Sequence, residues 1–134
     1  MNYLVDTSAL VRILRRQVDP QWYDAVRAGR IALCEPVLTE TLTIADAKSY
    51  EKIEAELRDA YPWVPVVEDV WSVVAAVRRE LAQHSQHHGL SVADHLVVAT
   101  AIRLKLLVLH ADADFETVSR VVPQLQQERI TGQL

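Results

Sequence analysis

Four carboxylates in this sequence stand where a charge is structurally odd. Asp6 ends the strand-like run Asn2-Tyr3-Leu4-Val5, and Glu40 lies inside the largely apolar helical stretch Val37-Leu38-Thr39-Glu40-Thr41-Leu42. Asp94 leads into Leu96–Ile102, which is almost wholly apolar on every side. Asp112, with Asp114 two residues on, follows the continuous apolar run Leu106–Leu109. Each acid also has an ordinary explanation. Asp6 can cap the helix that follows, although Thr7 and Ser8 can do the same. Glu40 fits a solvent-facing place near a helix N-terminus. Ser91 and Asp94 have capping-box spacing, and Asp114 suits a helix cap.

The alternative is that the acids converge. Carboxylates brought together raise one another's pKa, and a divalent cation removes the conflict. Oxygen-only ligands favour Mg²⁺, with Mn²⁺ as a substitute, over zinc. Cys34 is the only cysteine, so no cysteine pair exists for a structural zinc site. A phosphoryl-transfer domain with Asp6 as nucleophile would expect a second acid two residues on, where this chain has Ser8.

These acids need a scaffold, and the chain reads as alternating strands and helices. Asn2–Val5 is a strand followed by a helix from Ala9 to Arg16. A second helix runs from Pro20, which suits a first helical position, to Gly29, which suits a C-terminal stop. Ile31–Cys34 reads as a strand, Pro36 starts a third helix, and residues 48–60 make a fourth. Val64–Val67 reads as an edge strand despite Pro65. A long helix begins at Glu68 or Asp69 and ends near Gly89, and Ser91 caps the next. Leu106–Leu109 is a buried parallel strand, a short helix covers about Phe115 to Val122, and Gln126–Ile130 is a weakly marked last strand. The expected fold is α/β, with a short, mostly parallel central sheet flanked by helices and residues 1–134 as one domain.

Half of the residues are hydrophobic and 24% are charged, the balance of a soluble globular protein. The lone Cys34, within Ile31-Ala32-Leu33-Cys34, reads as a buried, inert thiol in a reducing compartment. No leader with a basic start and apolar core opens the chain, and Arg103 and Lys105 interrupt its longest apolar stretch, so a cytoplasmic protein without membrane association is expected. The formal net charge of −4 argues against a broadly basic nucleic-acid surface. Arg12, Arg15 and Arg16 nevertheless have the spacing of one helix side and could guide a phosphate backbone. His84, His87 and His88 have metal-compatible spacing, with a polar helix end as the commoner explanation. Trp22, Trp63 and Trp71 could stack on bases, but more often such residues serve core or interface.

Taken together, the residues resemble the PIN-domain family, and within it the VapC-type toxins of bacterial VapBC toxin–antitoxin pairs. The resemblance rests on Tyr3-Leu4-Val5-Asp6-Thr7-Ser8-Ala9-Leu10, on Glu40, on Leu90-Ser91-Val92-Ala93-Asp94 leading to Ala99-Thr100-Ala101, and on Leu107-Val108-Leu109-His110-Ala111-Asp112-Ala113-Asp114-Phe115. It implies that Asp6, Glu40, Asp94 and Asp112 form the metal site, with Asp114 secondary and Thr7 or Ser8 as an accompanying hydroxyl. His95 and His110 depart from the usual pattern, where a small residue and Thr or Ser are expected. The implied activity is metal-dependent endoribonucleolytic cleavage of RNA. The implied partners are a VapB-like antitoxin and a second copy of the chain. Leu10, Val11 and Leu14, with Tyr50, Ile53 and Leu57, would supply the apolar groove for the antitoxin. A stand-alone RNA-processing nuclease and a non-catalytic binding module are the rival readings.

Overall fold

The computed structural model describes residues 2–132. It begins with β1 (Tyr3–Val5), α1 (Thr7–Leu14), α2 (Pro20–Arg27) and β2 (Ile31–Ala32). Then follow α3 (Glu35–Thr43), α4 (Tyr50–Ala60), α5 (Val70–Gln83) and α6 (Val92–Leu104). The chain closes with β3 (Leu107–His110), α7 (Ala113–Val121) and β4 (Gln126–Arg129). The four strands form one sheet in the order β2-β1-β3-β4, and every pairing is parallel.

Burial explains why the middle strands are apolar throughout. Successive residues of a strand face opposite sides of a sheet. Leu4 and Val5 of β1 and Val108 and Leu109 of β3 all have no exposed surface, so helices cover both faces. Phe115 is equally enclosed at the start of α7, and its truncation to Ala would cost about 3–5 kcal/mol. Cys34 is buried as expected, and burial pushes its thiol up to about 11, which keeps it protonated and inert.

The strand order creates the place where a site can form. From β1 the chain crosses to β2 on one side, and from β3 it crosses to β4 on the other. The crevice between β1 and β3, at their carboxyl ends, is the topological switch point where open α/β sheets bind ligands. Asp6 directly follows β1, and Asp112 lies two residues beyond β3.

Several sequence expectations are corrected. Val64–Val67 is not a strand. The chain touches the β2 edge through one parallel bridge between Leu33 and Trp63, with Val64 N–H donating to Leu33 O at 3.0 Å. Pro65 then has no N–H with which to continue the ladder. α5 stops at Gln83, well before Gly89, and Ser85 adopts a left-handed backbone at φ 54°. His87 and His88 therefore lie beyond the helix and stack on each other at 3.9 Å, so the proposed helical histidine spacing does not exist. α1 ends at Leu14, with Arg15 as its C-cap and Arg16 beyond it at φ 59°. The arginine triplet is thus not one helix side, and the Arg16 guanidinium lies over the Tyr23 ring at 5.2 Å. α7 is capped by Asp112, and Asp114 sits in its first turn.

Candidate active site

Asp6 is the N-cap of α1, and it is also only 3% exposed. Its Oδ2 accepts from the Ser8 backbone N–H at 3.0 Å and from the Ser8 hydroxyl at 2.6 Å. The Ser8 hydroxyl in turn accepts the Ala111 N–H at 2.9 Å. The Asp6 N–H donates to Leu109 O at 2.9 Å. These bonds tie the end of β1 to the turn after β3, so the two acidic turns cannot drift apart independently.

Asp94 reaches the same place from α6. Ser91 and Asp94 form the expected capping box: Asp94 N–H donates to Ser91 Oγ at 3.1 Å, and Asp94 Oδ2 accepts from Ser91 N–H at 3.4 Å. The residue also lies beside Asp6, so its capping and clustering readings hold together. Burial first, then the Asp6 charge and more weakly that of Glu40, push the Asp94 carboxyl up to about 7. Burial likewise raises Asp6, offset by its bonds to Ser8 and by a hydrogen bond with Asp94. α3 packs against both α1 and α6, and this brings half-buried Glu40 within electrostatic reach of Asp94.

Asp112 and Asp114 form the other half of the cluster. Asp112 Oδ1 accepts the Asp114 N–H at 2.9 Å, while the Asp112 N–H donates to His110 Nδ1 at 3.1 Å. Burial and the neighbouring Asp112 raise Asp114. The carboxylate of Asp114 lies over Gly89, where an added Cβ would stand 3.0 Å from Oδ1. The sequence marks Gly89 only as a helix stop, and its contact with Asp114 has no local signal.

The acids therefore form two groups, Asp6–Asp94–Glu40 and Asp112–Asp114, joined through Ser8. Among the described residues no three acids, histidines or cysteines already stand in the arrangement of a metal cage. Among the described residues none of these five acids has a basic partner within ion-pair distance. The Thr7 hydroxyl, next to Asp6, is buried without a hydrogen-bond partner among the described residues. An oxygen-only donor set, unbalanced negative charge and an orphaned hydroxyl suit a hard divalent cation. Asp6, Asp94 and Asp112, with Glu40 directly or through water, are the groups that could hold it.

Other candidates lie elsewhere. Arg12 stands near the far end of α1, about 9 Å along the axis from Asp6 at 1.5 Å per residue. The His95 ring is half-buried near Arg78, and burial first, then that charge, lower its pKa. Trp22 is buried, donates to Thr131 Oγ1 at 2.9 Å and meets Tyr3 edge-on, so it belongs to the core. Trp63 and Trp71 remain exposed, and Arg58 lies over the Trp63 ring at 4.8 Å.

Comparison with known proteins agrees with this fold. The chain is 34% identical over 110 residues to Ribonuclease VapC6 of Mycobacterium tuberculosis, covering 80% of this chain and 87% of the relative. It is 32% identical over 124 residues to Ribonuclease VapC11 of the same species, covering 88% and 92%. Among solved structures, VapBC2 from Rickettsia felis bound to a promoter DNA fragment superposes with a TM-score of 0.75 at 17% identity, covering 96% of this chain and 98% of that one. VapBC from Salmonella typhimurium, also DNA-bound, gives 0.77 at 15% identity, covering 96% and 98%. At such identities the superpositions speak for the fold. The PIN domain model matches residues 3–121, from the first strand through the last helix, and this chain belongs to the PIN-domain family.

Proposed function

We propose that this protein is a divalent-metal-dependent endoribonuclease of the VapC type, the toxin of a type II toxin–antitoxin pair, with residues 1–134 as one nuclease domain. The observation that carries the reading is buried Asp6 set against half-buried Asp94, with Glu40 near Asp94 and Asp112 across the switch point. Relatives named as VapC ribonucleases support it.

The chemistry follows from the residues. Asp6 and Asp112, each anchored at a strand end by side-chain-to-backbone bonds, present fixed oxygens to Mg²⁺ or Mn²⁺. Such an ion, when bound, would supply charge to stabilise the phosphoryl oxygens and would lower the pKa of water. Asp94, whose carboxyl burial and the Asp6 charge push up to about 7, is suited in its ionised form to orient the attacking water and receive its proton. Glu40 can hold that water from the opposite helix. Water is the nucleophile, so the RNA 2′-hydroxyl takes no part in bond breaking. Thr7 and Ser8 line the same turn. Arg12, Arg15 and Arg16 could meet the RNA backbone only beyond the site, at the other end of α1.

A VapB-like antitoxin is a proposed partner, since the superposing structures include VapBC toxin–antitoxin systems, and the family resemblance adds a second copy of the chain. The groove expected for the antitoxin is narrower than the sequence suggested. Leu10 and Leu57 are buried in the core, leaving Leu14 and Tyr50 exposed and Val11 and Ile53 half-buried. Among the described residues no helix is long and apolar enough to cross a membrane.

The test is cleavage of RNA with and without Mg²⁺ or Mn²⁺, repeated with the product of the adjacent reading frame. Metal-dependent cleavage that the neighbour suppresses is expected. Cleavage without binding or inhibition by the neighbour would favour a stand-alone RNA-processing nuclease. Absence of cleavage with all divalent ions would favour a binding module.

A further inference from the structure

His110 ends β3 with no exposed surface, and both of its ring nitrogens are engaged. Nδ1 accepts the Asp112 backbone N–H at 3.1 Å. Because that partner is a donor, Nδ1 carries no proton, and the imidazole is the Nε2–H tautomer. Nε2–H then donates to Gln127 Oε1 at 2.6 Å. Gln127 belongs to β4 and lies in register with Val108 of β3, while the Phe115 ring stands 5.2 Å from the imidazole. The ring is therefore held from the sheet edge and from α7.

The need for this contact is visible in the backbone. Beyond His110 the ladder with β4 ends, its last bond being Ile130 N–H to His110 O at 2.7 Å. The Asp112 N–H thus meets no strand acceptor, and the imidazole supplies one. Nδ1 is attached to Cγ, as is the Oδ1 of Asn, so the ring closed from residue 110 to the amide of 112 has the size of an Asx turn. Asp112 Oδ1 repeats the device on the Asp114 N–H at 2.9 Å. Two linked turns, His110 to Asp112 to Asp114, set the direction of the Asp112 side chain.

We propose that His110 is a positioning residue that aims the Asp112 carboxylate at the acid site, with Gln127 holding the imidazole in the tautomer that can accept. This rests on the nuclease reading above. His110 touches neither substrate nor ion and acts only through the backbone of Asp112.

The test compares His110→Leu, which removes the acceptor, with His110→Asn, which restores it at Oδ1, and with Gln127→Leu. Mn²⁺ affinity is measured by calorimetry, and Asp112 amide exchange and the imidazole tautomer are followed by NMR. His110→Leu should weaken Mn²⁺ binding by about 10-fold or more, the usual effect of losing a group behind a ligand. His110→Asn should retain affinity within about threefold and keep the Asp112 amide protected. Gln127→Leu should weaken Mn²⁺ binding by about threefold or more and mix the tautomers. A folded His110→Leu with wild-type Mn²⁺ affinity overturns the proposal, as does a His110→Asn no better than Leu. If His110→Leu does not fold, unchanged affinity in Gln127→Leu overturns it. Wild-type protein that neither binds Mn²⁺ nor cleaves RNA would overturn the nuclease reading, and the proposal with it, while amide exchange would still report the hold of His110 on Asp112.

Discussion

The carboxyl of Asp94 lies within hydrogen-bonding reach of the carboxyl of Asp6, whose charge adds to burial in pushing Asp94 up. Unfolded Asp94 would titrate near 3.8, whereas in the fold it is pushed up to about 7. Between these values the folded, metal-free protein holds a proton that the unfolded chain has released. This contribution to stability is complete below about 3.8 and is lost as pH rises through about 7. Metal-free protein should therefore lose melting temperature between pH 5 and pH 8 more steeply than Asp94→Asn. At pH 8 the variant should be the more stable of the two without metal, and Mn²⁺ should raise the melting temperature of wild type more than that of the variant. Asn keeps an oxygen for the Ser91 N–H, so the cap survives. An Asp94→Asn protein less stable than wild type in chelator at pH 8 would show that capping outweighs repulsion.

Asp6→Asn, Glu40→Gln, Asp94→Asn and Asp112→Asn should each lower RNA cleavage by roughly 10²-fold or more, with circular dichroism unchanged. Asp114→Asn should be milder, because Asp114 sits in the first turn of α7 beside Asp112. Near wild-type rates at limiting Mg²⁺ in two of the first four variants would refute the site assignment.

Ser8 is a different test, since it carries no charge. Its hydroxyl donates to Asp6 and accepts from Ala111, linking the two strand ends. Ser8→Ala leaves a half-buried amide unpaired and should cost about 1–3 kcal/mol in urea unfolding. It should also weaken Mn²⁺ binding, because the side-chain link between Asp6 and the turn carrying Asp112 would be lost. Ser8→Thr keeps the hydroxyl and should recover most of both losses. Equal defects in the two variants would assign the effect to packing rather than to the bridge.

Lys105 closes α6 with φ 57° and ψ 44°, a left-handed cap that costs a residue with a Cβ about 1–2 kcal/mol. Lys105→Gly should stabilise the protein by about 1 kcal/mol after the entropy that glycine loses on folding is offset. The position is exposed and stands at the end of α6 opposite Asp94, before β3, whose other end leads to Asp112, so cleavage should be unchanged. A destabilised glycine variant would mean that the lysine side chain makes a compensating contact.

Much of this molecule was legible locally. Strand ends followed by acids, Pro20 and Gly29 at the ends of α2, and the Ser91–Asp94 capping box are short-range signals, because caps and apolar runs depend on residues a few positions apart. Other features leave misleading local patterns. Nothing between Gln83 and Gly89 punctuates the polar run, so the early end of α5 left no mark. Arg16 has helical spacing from Arg12 yet lies past the end of α1. Local sequence could place acids at strand ends, yet it could not make β1 the neighbour of β3, since the adjacency of parallel strands is decided by crossover helices packing far along the chain. That order sets Asp6 against the turn carrying Asp112, and the packing of α3 on α6 adds Glu40 to Asp94. The hold of Gln127 on His110 is likewise tertiary: the two are 17 positions apart and meet only because β4 pairs with β3 in a register that no local pattern specifies.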